Sequence, residues 1–381
     1  MPFINYPPNL KDMFDTIHNR LGKLETAQRF TAPNVATVPT NPRNGDIWLN
    51  TTSNAVNYID GTGAVQTFTP PPYVAGKNAI INGGMDIWQR GTSFTSSGYT
   101  ADRWYASVTG TCTVSQITSN LPSNFQYGIQ WVAGASNSYA QLIQAIEKAN
   151  VIPLQGKTMT ISGWVKVSTN FVGNWIFQNY YSTSTDTQAG DNVQNGSNVA
   201  IATNATTTWT RFSVTFTVPS TAVGLSMNFV PDNAAQVSTG TIQMTGVQLE
   251  LGSTATTFSR AGGSIGGELA LCQRYYRRYT GNAGSQNPLC SASAISTVSA
   301  DGVLPFSTPM RVAPTSNQSA VADLTFTWSA GTSTTSAVTI DLVSADAIFI
   351  RLTTTGLTAG QGGYFRVETG TSKYFELSAE L

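Results

Sequence analysis

The stretch Asn78–Trp104 reads NAIINGGMDIWQRGTSFTSSGYTADRW, and a second informative stretch, Gly246–Tyr279, reads GVQLELGSTATTFSRAGGSIGGELALCQRYYRRY. Between them, apolar and polar residues alternate. In the segment RFSVTFT the apolar positions are Phe212, Val214 and Phe216, and Arg, Ser and Thr fill the others. Alternation with a period of two is typical of a half-buried strand. The enclosed segment therefore predicts a β-sandwich.

Four motifs in these stretches, INGGMDIWQRG, YTADRW, QLELGS and LCQRYY, follow one another in this order. Together they resemble the bounding motifs of a carbohydrate-binding-module-like β-sandwich of tail fibres and minor tail proteins of double-stranded DNA bacteriophages. The resemblance covers residues 77–280 and, more weakly, both ends. It implies a jelly roll, a structural role in a virion and contact with host-surface glycan. FSTPMRVAPT at residues 306–315 resembles a motif of phage fibre tips.

The fold expected for the whole chain is mainly β: a short N-terminal coiled-coil helix, a jelly-roll β-sandwich, a linking helix and a C-terminal β-sandwich. Five segments are expected: 1–30, a helix for attachment and trimerisation; 31–76, a β-hairpin collar and a Pro-rich linker; 77–260, the jelly roll; 261–280, a hinge and helix; and 281–381, a C-terminal β-sandwich tip.

The N-terminal segment contains a narrow apolar seam. Its residues follow one another at intervals of four and three, which is the spacing of a coiled coil: Leu10, Phe14, Ile17, Leu21 and Leu24. A seam this short is not stable alone. It predicts either a parallel homotrimer or a single helix packed on another virion protein.

Local patterns predict several other elements. Ile47–Asn50 and Ala55–Ile59 are expected to form a hairpin. A helix is expected at 139–149, where Leu142, Ile143 and Ile146 share a face. The apolar positions between 241 and 251 change parity, which predicts a bulge near Gly246.

A second helix is expected to continue as far as Tyr279, with Arg274, Arg277 and Arg278 on its polar face. These arginines would face solvent or a second subunit; the alternative is a phosphate or polyanion site. In the C-terminal segment, residues 324–328, 338–342 and 348–352 alternate as antiparallel strands.

Charge is sparse in this chain. Charged residues make up 10% of it, and 20 Lys and Arg balance 20 Asp and Glu, so no global field attracts nucleic acid or an anionic membrane. No secretory signal and no membrane span is apparent. The three cysteines match no zinc site or disulfide framework. The expected location is the virion, on the tail or another particle surface, after assembly in the host cytoplasm.

Catalytic motifs are not apparent. His18 is the single histidine and lies on the N-terminal helix, which argues against a Ser-His-Asp or Cys-His mechanism. The carboxylates of the jelly roll, among them Asp186 and Asp191, form no recognisable glycosidase pair. We expect no enzyme activity, no cofactor and no metal; a polysaccharide depolymerase is the enzymatic alternative.

Glycan binding requires exposed aromatic faces with amides beside them. The candidates are Trp164, Trp175, Gln178, Tyr180 and Tyr181. The two tryptophans are alternatively core residues. The expected partners are two further copies of the chain, other virion proteins bound through the N-terminal region, and a host cell-envelope glycan. A tail fibre or minor tail protein is the first hypothesis; a capsid head fibre or decoration protein is the second.

Overall fold

A computed structural model describes residues 34–35, 37–50, 55–67, 76–134, 139–184, 193–232 and 240–381. The chain divides into two units, Met1–Pro72 and Tyr73–Leu381. The predicted coiled-coil seam of Leu10, Phe14, Ile17, Leu21 and Leu24 lies outside the described residues, and so does the Pro-rich linker.

The first unit contains a small sheet. Its strands, in the order in which they pair, are β1 (Asn34–Val35), β2 (Ile47–Asn50), β3 (Ala55–Ile59) and β4 (Val65–Thr67). Strands β2 and β3 pair antiparallel and match the predicted hairpin, which is thus confirmed. Trp48 of β2 is fully buried. Asp60 accepts backbone hydrogen bonds from Thr62 and Ala64 in the turn before β4.

The second unit begins with a two-sheet sandwich. Its elements are β5 (Ser93–Phe94), β6 (Gly98–Tyr99), β7 (Tyr105–Thr109), β8 (Cys112–Ile117), β9 (Gly128–Ala133), β10 (Tyr139–Ile146), α1 (Lys148–Val151), a 3-10 turn (Ile152–Leu154), β11 (Thr158–Val167), β12 (Asn174–Ser182), β13 (Val193–Gln194), β14 (Val199–Thr203), β15 (Thr210–Thr217), β16 (Gly224–Pro231) and β17 (Thr241–Leu251).

One sheet has the order β13-β12-β16-β10-β7-β6, with β14 also paired to β12; we call it the β12 sheet. The other, the β11 sheet, has the order β15-β11-β17-β9-β8-β5. Their inner faces supply one continuous core because every second residue of each strand points inward. Phe212 and Phe229 meet across this core with ring centroids 6.0 Å apart.

The predicted bulge near Gly246 is confirmed. Ser162 pairs with Gln248 but Trp164 pairs with Thr245, so β17 has one extra residue at this point. Gly246 has a φ of +63°, and a Cβ there would lie 2.4 Å from the ring of Phe125. Glycine therefore permits both the backbone angle and the close ring contact.

The helix predicted for 139–149 is wrong. Residues Tyr139–Ile146 form strand β10, and only the four residues of α1 are helical. Strand β10 lies between β7 and β16 and is paired on both sides. Leu142 and Ile146 belong to the core on the inner face of β10, while Ile143 and Ala145 are buried on its outer face. Apolar side chains on both faces produced a spacing that also fits one face of a helix.

The linking helix is shorter than predicted. Helix α2 (Ile265–Gln273) begins at Ser264, whose hydroxyl accepts a hydrogen bond from Gly267 N. The chain then enters strand β18 (Tyr276–Thr280), so Arg277 and Arg278 do not lie on a helix. Pairing of β18 with the C-terminal strand extends the chain where local spacing indicated another helical turn. The predicted hinge concerns motion and stays a prediction.

The C-terminal part consists of β18, β19 (Asn287–Ala294), β20 (Ser299–Pro305), β21 (Thr315–Gln318), a 3-10 turn (Val321–Asp323), β22 (Leu324–Trp328), β23 (Gly331–Thr332), β24 (Ala337–Val343), β25 (Ala347–Thr353), β26 (Gly362–Val367) and β27 (Tyr374–Ser378). A sheet of order β23-β22-β26-β19-β20-β25-β24 shares a core with the small sheet β18-β27-β21. The strands predicted at 324–328, 338–342 and 348–352 are confirmed as β22, β24 and β25. The mainly-β class is thus confirmed.

Candidate functional site

The outer face of the β12 sheet places two of the predicted glycan-binding side chains together. In strand β12, Trp175, Phe177 and Tyr181 contact the sandwich core. Strand alternation therefore directs Gln178 and Tyr180 to the opposite, outer face. Both side chains are partly exposed there. The outer face of β12 thus presents an aromatic ring next to an amide.

Neighbouring strands add polar side chains to this cluster. Tyr180 lies directly opposite Gln194 of β13 and Ser226 of β16, and Gln178 lies opposite Asn228. We call these residues, with Asn198, the Tyr180 face: Gln178, Tyr180, Gln194, Asn198, Ser226 and Asn228. None of its members carries a charge. Ser226 and Asn228 are buried, so the solvent-facing part consists of Gln178, Tyr180, Gln194 and Asn198 and is neutral and polar.

Hydrogen bonds order the amides of the Tyr180 face. Asn198 Oδ1 accepts from Gln178 Nε2 at 3.1 Å and from Gln194 Nε2 at 2.6 Å. The hydroxyl of Tyr180 donates to Gln178 Oε1 at 3.3 Å. Among the described residues, Asn198 Nδ2 has no partner and stays free as a donor. These amides are held in position and retain hydrogen-bonding capacity for a ligand.

A second aromatic residue lies at the far side of the same face. Tyr105, Ile143, Asn228 and Gln178 form one row across strands β7, β10, β16 and β12. Three strand spacings separate the ends of this row, about 14 Å. Tyr105 packs edge-on against Tyr99, with ring centroids 5.3 Å apart. The row between the two aromatic residues includes the apolar side chain of Ile143, and both Ile143 and Asn228 are buried.

The other predicted glycan-binding residues lie elsewhere. Trp175 is 1% exposed, and its Nε1 donates to Met244 Sδ at 3.2 Å; it is a core residue, and its assignment as a glycan contact is corrected. Tyr181 also packs against the core. Trp164 is half-buried on the outer face of the β11 sheet, where it and Phe125 lie against Gly246. Only Tyr180 and Gln178 come together.

Sequence reasoning did not find the remaining members of the Tyr180 face. Gln194, Asn198, Ser226 and Asn228 come from three separate strands or turns, and only the pairing register brings them to β12. Tyr105 belongs to the same group. Asparagine and glutamine are frequent in this sequence, so composition did not distinguish these positions.

The arginine cluster does not form an open anion site. Arg277 is 5% exposed, and its Nη2 donates to Thr308 O at 2.5 Å. Arg274 Nη2 lies 3.0 Å from Glu147 Oε1. Arg278 Nη1 donates to Arg90 O at 3.2 Å. The expectation that the cluster faces solvent is wrong for Arg277, which is buried, whereas the Arg274 side chain is about a third exposed. All three guanidinium groups bond within the chain, and contact with a second subunit stays a prediction.

Three carboxylates of the second unit, Asp86, Asp102 and Glu250, have structural partners. Asp86 forms an ion pair with Arg260, with Nε and Oδ2 2.8 Å apart. Glu250 accepts hydrogen bonds from Thr256. Burial raises the pKa of Asp102 to about 6, and this carboxylate accepts from Gln89 N at 3.0 Å. His18, Asp186 and Asp191 lie outside the described residues.

Two negative findings apply to the described ranges alone. No group of three or more His, Cys, Asp or Glu side chains is placed to hold a metal ion. No helix in these ranges has the length and apolar character needed to cross a membrane.

Comparison with known proteins finds no matching family model and no matching curated protein. Solved structures are similar at low identity. The enzymatically active domain of bacteriophage CBA120 tailspike protein 4 is 16% identical, with a TM-score of 0.32, over 46% of this chain and 21% of that chain. The N-terminal CBM22-1–CBM22-2 tandem domain of Paenibacillus barcinonensis Xyn10C is 11% identical, with a TM-score of 0.30, over 81% of this chain and 98% of that chain.

A putative sugar binding protein from Bacteroides thetaiotaomicron is 10% identical, with a TM-score of 0.29, over 46% of this chain and 100% of that chain. The chain therefore spans about a fifth of the tailspike chain and nearly the full length of the other two.

Proposed function

We propose that this chain is a structural virion protein of a double-stranded DNA phage, a trimeric tail fibre or minor tail protein that binds host-surface glycan without cleaving it. The observation that carries the glycan part is the Tyr180 face, where a partly exposed ring lies beside ordered, uncharged amides. The motif resemblance supports the virion part.

The binding mode follows from the chemistry of the Tyr180 face. An aromatic ring offers a flat apolar surface to the C–H groups of a pyranose, while amides donate to and accept from its hydroxyls. Gln178, Gln194 and Asn198 supply both kinds of group around Tyr180. Tyr105 lies at the far side of the same sheet face, about 14 Å from Gln178 by strand spacing. The side chains of Ile143 and Asn228 between them are buried, so the part of the face offered to a sugar is the group around Tyr180.

Substitution Tyr180→Ala tests the proposal. Removing the ring should weaken binding of the purified protein to host cell-envelope polysaccharide about tenfold, through loss of stacking. Gln178→Ala should act in the same direction. Binding is measured by surface plasmon resonance on immobilised polysaccharide, together with the melting temperature of each variant.

Tyr364→Ala is the matched control, because Tyr364 is a tyrosine 38% exposed on strand β26, far from the Tyr180 face in the sequence. Equal binding by wild type, Y180A and Q178A would contradict the proposal. A fall in polymer mass during the incubation would instead favour a depolymerase.

Trimerisation is assigned to the N-terminal seam. Replacing Ile17 and Leu21 by Asp places charges in an apolar seam and should convert trimers to monomers, as measured by sedimentation. If the variant remained trimeric, the seam would not be the interface of the trimer. Labelling of intact particles separates tail location from the capsid alternative, since a head fibre or decoration protein would be detected on the capsid.

A further inference from the structure

The outer face of the β11 sheet contains a polar groove that none of the preceding assignments uses. Lys166 of β11, Gln243 of β17 and Gln130 of β9 pair in one row across three strands. Together with the loop after β11 and the turn before β15, they enclose a groove of about 340 Å³. This volume lies at the lower end of the ~300 to 1,000 Å³ typical of small-molecule sites.

The amides of this groove are ordered but not saturated. Gln243 Nε2 donates to Gln130 Oε1 at 2.7 Å. In this orientation Gln243 Oε1 remains as an acceptor and Gln130 Nε2 as a donor, with no other partner among the described residues. The groove thus offers one acceptor and one donor side by side, which is the complement of a pair of neighbouring hydroxyls.

Hydroxyl groups supply most of the remaining lining. Ser168, Thr207 and Thr241 border the groove, and Ser168 Oγ accepts from Thr241 N at 2.8 Å. Among the described residues, Lys166 is the only charged one that borders the groove, and it forms no ion pair with any of them. A single positive charge among neutral polar groups suits a ligand with one negative charge and several hydroxyls.

We propose that this groove binds one sugar residue that carries a carboxylate, with Lys166 at the carboxylate and the two glutamines at ring hydroxyls. The choice of a sugar rests on the proposed glycan function, but the site is separate from the Tyr180 face because the two lie on opposite sheets of the sandwich. Trp164 lies on the same outer face, two residues before Lys166 in β11 and about 7 Å along the strand. At this position it would contact the next sugar of an oligosaccharide.

Saturation-transfer NMR with free glucuronate tests this inference, with glucose as the neutral probe. Wild-type protein should transfer saturation to glucuronate and more weakly to glucose. Lys166→Met should reduce the affinity for glucuronate about tenfold, because it removes a charge-assisted hydrogen bond. Lys157→Met is the control, since Lys157 is an exposed lysine before β11 that does not border the groove. Gln243→Ala should weaken both probes.

The outcomes separate the two sites. Glucuronate binding that is retained in Y180A and lost in K166M supports the groove as the binding site, whether or not the Tyr180 face binds a glycan. Loss in Y180A with retention in K166M overturns the groove and leaves the proposed function intact. Equal signals for glucuronate and glucose, or equal competition by acetate, would overturn the carboxylate-bearing sugar as its ligand.

Discussion

The junction between the two sandwiches of the second unit and the Tyr180 face use polar residues in opposite ways. At the junction, Arg103 of the first sandwich is 2% exposed and pairs with Glu380, near the end of the chain. The Tyr180 face contains amides, hydroxyls and aromatic rings and no ionised group. Charged residues are few in this chain. The buried ones at the junction connect the two sandwiches, whereas the candidate recognition surface is neutral.

The contacts of the junction explain why its arginines are not available to a ligand. Arg103 Nη2 donates to Ala145 O at 2.7 Å, and its guanidinium lies 3.6 Å from the ring centre of Tyr275. Arg90 lies 3.0 Å from Glu380 and 3.4 Å from the ring centre of Tyr276. Each guanidinium therefore has both a carboxylate and an aromatic face as partners.

The largest effect is expected from Glu380→Gln. The substitution leaves Arg103 buried with its positive charge uncompensated, a change that costs about 3 to 5 kcal/mol in comparable sites. Urea unfolding of the whole chain measures the change. The double variant Arg103→Met, Glu380→Gln should recover part of the loss, because the buried charge of Arg103 is then absent, although Arg90 still lacks Glu380.

Asp341→Asn is the control for that experiment, because it breaks a pair with Arg351 in which both side chains are about a third exposed. It should leave the unfolding midpoint almost unchanged. If E380Q and D341N had equal effects, the contrast between a structural junction and a neutral surface would fail.

A second, smaller effect concerns pH. Burial raises the pKa of Asp102 to about 6 from its usual value of 3.8. The folded chain therefore binds more protons than the unfolded chain in this range, and its free energy of unfolding should fall as pH rises from about 4 to about 7, by up to about 3 kcal/mol. Asp102→Asn should remove this component.

The measurement is the difference in unfolding free energy between wild type and D102N at several pH values. A difference that does not change with pH would show that Asp102 keeps the same charge in the folded and unfolded chains. Binding at the Tyr180 face should show no such dependence, because none of its members is a carboxylate, a histidine or a lysine.

Local patterns predicted the local elements of this fold and failed where distant strands meet. The hairpin of β2 and β3 and the bulge at Gly246 follow from strand periodicity and parity, which residues close in sequence determine. The sequence predicted Arg277 on a helix, whereas it lies in strand β18. That strand pairs with β27, which is about 100 residues further along the chain, and local spacing does not indicate such a pairing. Trp175 and Tyr180 lie in the same aromatic and amide-rich segment, so composition predicted the same role for both. The face of the sheet on which each ring lies makes Trp175 a core residue and Tyr180 a surface residue.

The smallest effect is expected for salt. Binding at the Tyr180 face involves no ion pair, so the affinity for a neutral glycan should change less than twofold between about 50 mM and about 150 mM salt. Arg274→Gln should leave that affinity unchanged, because Arg274 is paired with Glu147. Titration calorimetry at both salt concentrations measures the affinity. A steep loss with salt that is abolished in R274Q would mean that the junction arginines bind an anionic receptor, and the division between a charged junction and a neutral recognition surface would then be wrong.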